Sequence, residues 1–405
     1  MYRIGKLELS RLESLLSSKE MFRYGHAGEC DSFEAAWGKR LGVDHVRMTT
    51  SGTASLYAAL IGLGCGPGDE VIVPACTYMA TALAVLATGA LPVVADVDES
   101  VTLSIKDVER RISPYTKVII PVHMWGLASD MDGIMALAEL HKIKVLEDAC
   151  QSVGGGYKGR ELGSIGHAGA FSFNYFKNMT CGEGGAFVSH SKEVMDRGSV
   201  AVDCCSYYWN PDEQKEDLQF AGLNFRATEV AGAILNAQLE RIDDMLGTMH
   251  EHRSQLVDVG KAAGLESIAY NSFEDDCGTH LGFIFGSEED ARAFSGRLKE
   301  QKISNGVSCE STGIRGFLPI DTGRHVYTRW DPIMRKQGAH HPDLNPYNLP
   351  ANQKLEVEYS EDMCKDSLEI LSRCVLVPMH CDNPEQVVEE IGKGIKDAAL
   401  KAAPM

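Results

Sequence analysis

Long apolar runs are missing from this 405-residue chain, and none approaches the ~18 residues that a helix needs to cross a bilayer. The opening stretch, MYRIGKLELSRLESLL, carries charge throughout and lacks the apolar core that a secretory signal requires. Basic residues are in deficit: 39 Lys and Arg stand against 57 Asp and Glu, for a formal net charge of −18. An exterior of that sign argues against nucleic acid and against an anionic membrane as partners. It leaves room for an anionic small molecule at a local arginine or helix end. Twelve cysteines are scattered without one CxxC pair, and the adjacent Cys204 and Cys205 cannot easily bridge each other. Reduced thiols in the cytoplasm are the simplest account, and neither a disulfide framework nor a metal is expected. Internal repeats and low-complexity tracts are missing too.

What is present is a large apolar inventory, 44% of the chain, enough for one large and one smaller domain. From about residue 46 one theme recurs: a short apolar run, a turn, then a helical pattern. VRMTTS (46–51), VIVPACTY (71–78), LPVVADVD (91–98), KVIIPVHMWG (117–126) and KVLEDAC (144–150) read as strands. Helical patterns such as GTASLYAALIGLG and MDGIMALAELHK alternate with them. Unbroken Val/Ile/Leu strands between helices predict an α/β fold with a mainly parallel sheet covered on both faces. A long amphipathic helix is expected over 227–256, followed by a small α+β region with strands at 281–286 and 375–380 and an irregular stretch over 310–352. The expected division is a large domain over 1–245, with an N-terminal arm over about 1–30, and a small domain over 246–405.

In such sheets ligands sit at the carboxyl ends of the strands. The polar residues expected there are Ser51, Gly52 and Thr53, then Tyr78, His123, Asp148 and Gln151. Ser-Gly-Thr closes a strand and opens a helix, so its N–H groups and hydroxyls suit a phosphate, although the same triplet also suits a helix cap. Tyr78 could stack on a planar ring or be a core aromatic. Lys177 lies in AFSFNYFKNMTCGEGGAF (170–187), a polar, glycine-flanked stretch after an apolar strand. Such a lysine is often an ordinary surface residue. Held in a pocket, it would be a nucleophile for a carbonyl cofactor. A pyridine ring in that cofactor would need a carboxylate to keep its nitrogen protonated; Asp148 at a buried strand end fits, or else caps the helix that follows.

In this order and spacing, SGTASLYAAL, GPGDEVIVPACTYMATALAV, IIPVHMWG, LEDACQSVGG, AFSFNYFKNMTCGEGGAF and GLNFRATEVAGAILNAQLERID resemble the DegT/DnrJ/EryC1/StrS sugar aminotransferases, over about residues 45–245. The resemblance implies the fold-type I architecture, with a seven-stranded sheet, and pyridoxal 5'-phosphate as cofactor, passing through the pyridoxamine 5'-phosphate form. By position, Lys177 would carry the Schiff base and move the proton, Asp148 would face the pyridine nitrogen, Gln151 the phenolic oxygen and Tyr78 the ring. Gly52, Thr53, Ala54 and Ser172 would hold the phosphate, and Asn224 would reach it from the neighbouring subunit of a homodimer. Glutamate or glutamine would be the amino donor, and a keto or aldehyde sugar or sugar-like compound the acceptor. Members with histidine at the lysine position are dehydratases, so Lys177 favours transamination. A non-catalytic cofactor-binding regulator would usually add a nucleic-acid-binding extension, and none is visible in so acidic a chain.

The C-terminal third departs from the commoner nucleotide-sugar members. VHMWG, LEDACQSVGG, KNMTCGEGG, FRYG (22–25) and RHVYTRWDPI (324–333) look closer to a subgroup that includes 8-amino-3,8-dideoxy-octulosonate transaminases. Candidate substrate contacts are Tyr24, His123, Trp125, Arg226, His325, Tyr327, Arg329 and Trp330. An arginine among them could grip a carboxylate or phosphate through two parallel bonds. Each has an ordinary reading as well: His123 as a satisfied core histidine, Arg226 as a partner of Glu229 one turn on, and residues 324–333 as a surface loop. Glu183 reads as a turn residue near the lysine loop.

Overall fold

A computed structural model describes residues 4–400 other than 27, 205, 210–217, 305–310 and 340. Two helices, α1 (Lys6–Ser18) and α2 (Glu29–Leu41), come first. They are followed by β1 (His45–Thr49), α3 (Gly52–Gly62), β2 (Glu70–Pro74), α4 (Ala80–Ala87) and β3 (Leu91–Ala95). Next come α5 (Ile105–Arg111), β4 (Thr116–Ile119), α6 (Met131–His141) and β5 (Lys144–Asp148). A small hairpin, β6 (Gly156–Tyr157) and β7 (Arg160–Glu161), precedes β8 (Ala168–Ser172), β9 (Gly185–Ser189) and α7 (Lys192–Val202). The main sheet has seven strands in the order β1-β9-β8-β5-β4-β2-β3, and β9 alone runs against the rest. Every residue of β2, β8 and β9 is buried, as expected for a sheet with helices on both faces.

After α8 (Ser206–Trp209), the chain forms α9 (Glu229–Leu239) and α10 (Ile242–Ala262). The single helix expected over 227–256 is therefore two. The break falls at Glu240–Arg241, where Gln238 (2.9 Å) and Arg241 both turn their side chains onto the buried carboxylate of Glu8 in α1. A second sheet, antiparallel, joins β10 (Glu266–Ser267) and β11 (His280–Ile284) to a strand near the C-terminus. Between them in sequence lie α11 (Glu288–Glu300), the pair β12 (Lys302–Ser304) and β13 (Ser311–Gly313), α12 (Asp331–Met334) and α13 (Lys365–Arg373). That strand, β14 (Cys374–Pro378), leads into α14 (Glu385–Leu400). The apolar core is continuous between the two sheets: Leu376 and Cys374 of β14 pack in one cluster with Val73 and Ile120 of the large sheet. The expected 245/246 boundary falls inside α10.

Two local departures shape the site. The strand expected over 71–78 stops at Pro74: Ala75 N–H still donates to Ala95 O of β3 at 2.8 Å, but its carbonyl accepts from Tyr327 N–H at 3.0 Å and Cys76 bridges Val326. The strand expected over 117–126 stops at Ile119, and the chain turns sharply through Trp125 (φ 53°) and Gly126 (φ 81°). A non-glycine residue in the left-handed region is held there by its surroundings. The Trp125 carbonyl accepts from Thr279 Oγ1 (2.6 Å) and His280 Nδ1 (2.9 Å) at the start of β11.

Candidate active site

Asp148 is the last residue of β5 and is 4% exposed. A buried carboxylate needs donors, and it has two: Cys150 N–H to Oδ1 (3.1 Å) and Thr81 Oγ1 to Oδ2 (2.8 Å). Its backbone is pinned between Pro121 O (2.9 Å) and His123 N–H (3.1 Å). The neighbouring Glu147 points to the other face of the sheet. There it accepts from Gly163 (2.8 Å), Ile165 (2.6 Å) and Gly166 (2.6 Å) N–H and lies 3.0 Å from His123 Nε2.

Lys177 lies in the connection from β8 to β9. Bonds from Phe173 N–H to Gly184 O (2.8 Å) and from Tyr175 N–H to Gly182 O (2.9 Å) zip that connection into a tight excursion, with Lys177 N–H closing on Asn174 O at 3.0 Å. Glu183 serves the turn, accepting from Asn174 Nδ2 at 2.9 Å. The Lys177 ammonium reaches two other groups electrostatically. Burial drives the Cys150 thiol well above its usual range, aided by the Asp148 charge, and Lys177 opposes that rise. His325 is held below the usual histidine value, first by burial and also by Lys177, against a hydrogen bond to Thr322 O. The fold thus gathers Lys177, Asp148, Cys150 and His325 at one end of the sheet.

The β1–α3 turn builds a cradle beside them. Ser51 caps α3, its Oγ accepting from Ala54 N–H at 3.1 Å, and the first turn of the helix carries no acidic residue. Gly52 is buried against β8. A Cβ there would lie 2.7 Å from Ser172 Cβ and 2.8 Å from Cys150 Sγ, closer than real contacts allow. Backbone N–H groups at a helix start suit an anion, and only glycine lets this one sit so close to the strand end. Ser172 is nearly buried, Thr53 is exposed, and the two sit on β8 and α3 respectively. The cradle, the buried carboxylate and the lysine fit the phosphate, the ring nitrogen and the carbonyl of a pyridoxal group.

Around the opening stand Tyr78, Trp125 and His325. The His325 ring centroid is 5.6 Å from that of Tyr78 and 5.9 Å from that of Trp125. Gln151 points its Oε1 at Trp125 N–H, at 3.3 Å. Three expected substrate contacts need correction. His123 is fully buried: Nδ1 accepts from Ser129 N–H (3.1 Å), so Nε2–H faces Glu147, and no ring nitrogen is left for a ligand. Tyr327 is fully buried, with its hydroxyl on Glu361 O. Trp330 is fully buried too, with Nε1–H donating to Arg324 O at 2.9 Å. Residues 324–330 therefore alternate between anchors in the core and residues at the surface, and Arg329 is among the latter.

Tyr24 and Arg226 form a separate cluster at the β1 edge. Tyr24 OH donates to Asp203 Oδ2 (2.6 Å) and Arg226 pairs with Asp203 Oδ1 (3.2 Å), so Arg226 does not use Glu229. Tyr24 also stacks on Trp209, with centroids 5.6 Å apart. Asn224 is exposed next to them, its Oδ1 accepting from Arg226 N–H at 3.2 Å. Thr81, Thr77, Cys150 and Glu147 were missed by sequence reasoning. The Asp-Ala-Cys-Gln run could have signalled Cys150, but nothing in one sequence ties Thr81 to a carboxylate 67 residues away. A cleft of about 370 Å³ lies at the opposite, amino-terminal ends of the strands, among Lys144, His167, His190 and Glu193, and does not border Lys177.

Relatives supply an independent comparison. The chain is 40% identical over 219 residues to GDP-perosamine synthase of Caulobacter vibrioides, covering 53% of this chain and 57% of that protein. It is 40% identical over 227 residues to dTDP-3-amino-3,4,6-trideoxy-alpha-D-glucose transaminase of Streptomyces venezuelae, covering 56% and 58%. The matched stretch thus spans less than two-thirds of these relatives' own length. Whole-chain likeness is seen in solved structures. 3-Amino-5-hydroxybenzoic acid synthase superposes with a TM-score of 0.77 at 27% identity over 99% of this chain and 98% of that one. DesV of S. venezuelae gives 0.75 at 26% identity over 97% and 94%. The architecture is fold-type I, an α/β fold with a mainly parallel sheet. The family's model matches residues 3–310, and the chain belongs to the DegT/DnrJ/EryC1/StrS aminotransferase family.

Proposed function

We propose that this protein is a pyridoxal-5'-phosphate-dependent aminotransferase that delivers an amino group from glutamate or glutamine to the carbonyl of a sugar or sugar-like acceptor. The observation that carries this reading is the convergence of Lys177, buried Asp148 and the Gly52–Ser172 cradle at the carboxyl ends of β1, β5 and β8. When bound, pyridoxal 5'-phosphate supplies a carbonyl for covalent attachment and a ring that withdraws electrons. Gly52, Thr53, Ala54 and Ser172 would hold its phosphate, Tyr78 would cover the ring, and Gln151 and Asp148 would serve its phenolic oxygen and ring nitrogen. Lys177 would supply the amine that anchors the cofactor and, once freed by the donor amine, would act as the general acid and base that moves the proton.

Neutral His325 faces the acceptor. Its Nδ1 donates to Thr322 O at 3.1 Å, which leaves Nε2 as an acceptor for a sugar hydroxyl. Exposed Arg329 suits an anionic group on that sugar. The relatives' names point to nucleotide-linked sugars, which is the acceptor class we favour over an octulosonate. A second copy of the chain completes the site: Asn224 is exposed, and Phe176 (80% exposed) and Tyr175 beside Lys177 present apolar surface for a partner to cover. Among the described residues no helix is long and apolar enough to cross a membrane.

The test is borohydride reduction of the yellow protein, followed by peptide mapping. The adduct is expected on Lys177, and Lys177→Ala should remove both the adduct and at least about 10²-fold of the activity. Absence of a lysine adduct in the wild type defeats the reading. Loss of the visible band on adding glutamate or glutamine alone supports transamination; retention with every donor points to a non-catalytic binder, and elimination of a hydroxyl from the sugar to a dehydratase.

A further inference from the structure

We infer that Thr81, backed by Thr77, is a positioning residue: one buried hydroxyl pair fixes the Asp148 carboxylate and the turn that carries Tyr78 relative to each other. The inference rests on the cofactor reading above and assigns work to two threonines outside it. Thr77 and Thr81 are each 1% exposed, and their Oγ1 atoms are 2.8 Å apart. Thr81 has a single hydroxyl proton and three acceptors in reach, Asp148 Oδ2 and Thr77 Oγ1, each at 2.8 Å, and Tyr78 O at 3.2 Å. Of the two nearer ones only Asp148 is ionisable, and hydrogen bonds to a charged oxygen are shorter and roughly twice as strong as neutral ones. The proton therefore goes to Asp148. Thr77, whose alternative acceptor is Tyr78 O at a longer 3.4 Å, donates into the Thr81 oxygen. The polarity of the chain is Thr77 to Thr81 to Asp148.

This arrangement has a geometric consequence. Cys150 N–H holds Oδ1 and Thr81 holds Oδ2, so both oxygens of the carboxylate are tied and its plane cannot turn about the Cβ–Cγ bond. Each oxygen keeps a further lone pair, which leaves room for a ring N–H. Thr81 sits in the first turn of α4, and its own N–H donates to Tyr78 O at 3.1 Å. Tyr78, the residue that covers the ring, is thus anchored by the same threonine that orients the ring nitrogen's partner. The two contacts that define where a planar ligand lies are fixed to one point.

The test compares Thr81→Val, Thr81→Ser and Thr77→Val in the full-length holoenzyme, reading the dissociation rate of pyridoxal 5'-phosphate, the position of its visible band and the melting temperature of the cofactor-free protein. Thr81→Val keeps the branched shape but has no proton for Asp148. It is expected to release cofactor about tenfold or more faster and to shift the band, as loss of a bond to a charged group should. Thr81→Ser restores the hydroxyl and should come within about threefold of wild type, while Thr77→Val should fall between the two. A purely structural role would lower the melting temperature without moving the band. Unchanged release and band in Thr81→Val, or a serine variant as impaired as the valine one, overturns the inference. Should Thr81→Val not fold, Thr77→Val decides: wild-type release and band overturn the inference, and intermediate values uphold it. Failure of the wild type to form any lysine adduct is a different result, which removes the cofactor reading itself.

Discussion

On one side of Lys177 the site is made of strand ends, and on the other of short 3-10 turns. Asp148 and Ser172 are the last residues of strands whose ladder bonds set where they stop, and Gly52 opens the helix three residues past the end of β1. His325 and Arg329 ride instead on the turns Gly323–His325 and Tyr327–Arg329, held in place by Tyr327 and Trp330 buried in the core. The difference teaches how chemistry and specificity are divided. On the proposed reading, residues that would meet a cofactor of fixed shape are placed by a sheet that has little freedom. Residues that would meet a variable acceptor lie on turns held by two core anchors, beside which the exposed positions can change without disturbing the fold.

If the division is right, damage behind the strand-end wall is costly. Glu147→Ala would strip one carboxylate from four donors: the N–H groups of Gly163, Ile165 and Gly166, and His123 Nε2–H. Removing one partner of a buried pair costs about 3–5 kcal/mol, and this site should be at the upper end. Urea unfolding of the cofactor-free protein reads it directly. A loss under about 1 kcal/mol would break the comparison, because the sheet end would then not depend on its polar packing.

The seam between the walls has its own pH signature. His280 bonds the Trp125 carbonyl, and burial above all, with His380, Arg315 and Arg253 nearby, pushes it down to about 3 in spite of that bond. A histidine neutral in the fold but protonated when unfolded makes the unfolded state bind more protons below its ordinary value near 6.5. Its contribution is complete above about pH 6.5 and is lost as pH falls from there toward 3. Between pH 7.5 and 5 the loss should be on the order of 2 kcal/mol, and His280→Gln should show a shallower slope by about that amount. Parallel slopes for the two proteins would place the acid sensitivity elsewhere, with His167, His250, His325 and His380 the other depressed histidines among the described residues.

On the rim the expected effect is on the acceptor rather than the fold. His325→Ala removes the Nε2 acceptor and the ring between Tyr78 and Trp125. The acceptor KM should rise about tenfold, the cost of one lost hydrogen bond, while the donor half-reaction and the melting temperature stay near wild type. A fall in the donor half-reaction instead would mean that His325 serves Lys177, and the line between the walls would have to be redrawn.

The same division governed what the sequence could show. The start of α3 was legible because it is written locally: an apolar run, then Ser-Gly-Thr, marks a strand stopping and a helix starting, whereas Asp-Ala-Cys-Gln marks the end of β5 but leads into turns and the β6–β7 hairpin, not into a helix. Lys177 and its neighbours came with a motif of fixed spacing. The rim was half legible. RHVYTRW marks a segment whose His325 lies beside Tyr78 and Trp125, but which of its residues face inward depends on Tyr327 N–H finding Ala75 O across more than 250 positions. His123 was ambiguous for a related reason: its burial is set by Glu147 and by Ser129 N–H, contacts that no periodicity encodes. The break at Glu240–Arg241 was illegible because amphipathic spacing runs straight through it, and only the buried Glu8 of α1 pulls the chain aside.

The smallest expected effect is also the one that sharpens acceptor choice. Arg329 is exposed at the end of the Tyr327–Arg329 turn, so its removal should leave the melting temperature within about 2 °C of wild type. An exposed guanidinium is screened by water and salt, and its pull on an anionic acceptor is correspondingly weak. Arg329→Ala should therefore raise KM no more than about fivefold for a nucleotide- or phosphate-bearing acceptor, and leave KM for an uncharged keto sugar unchanged. Added salt should erase the difference between the two acceptors in the wild type and have no further effect in the variant. An equal rise for charged and neutral acceptors would show that Arg329 shapes the opening by packing instead. The acceptor's charge would then have to be read by another group.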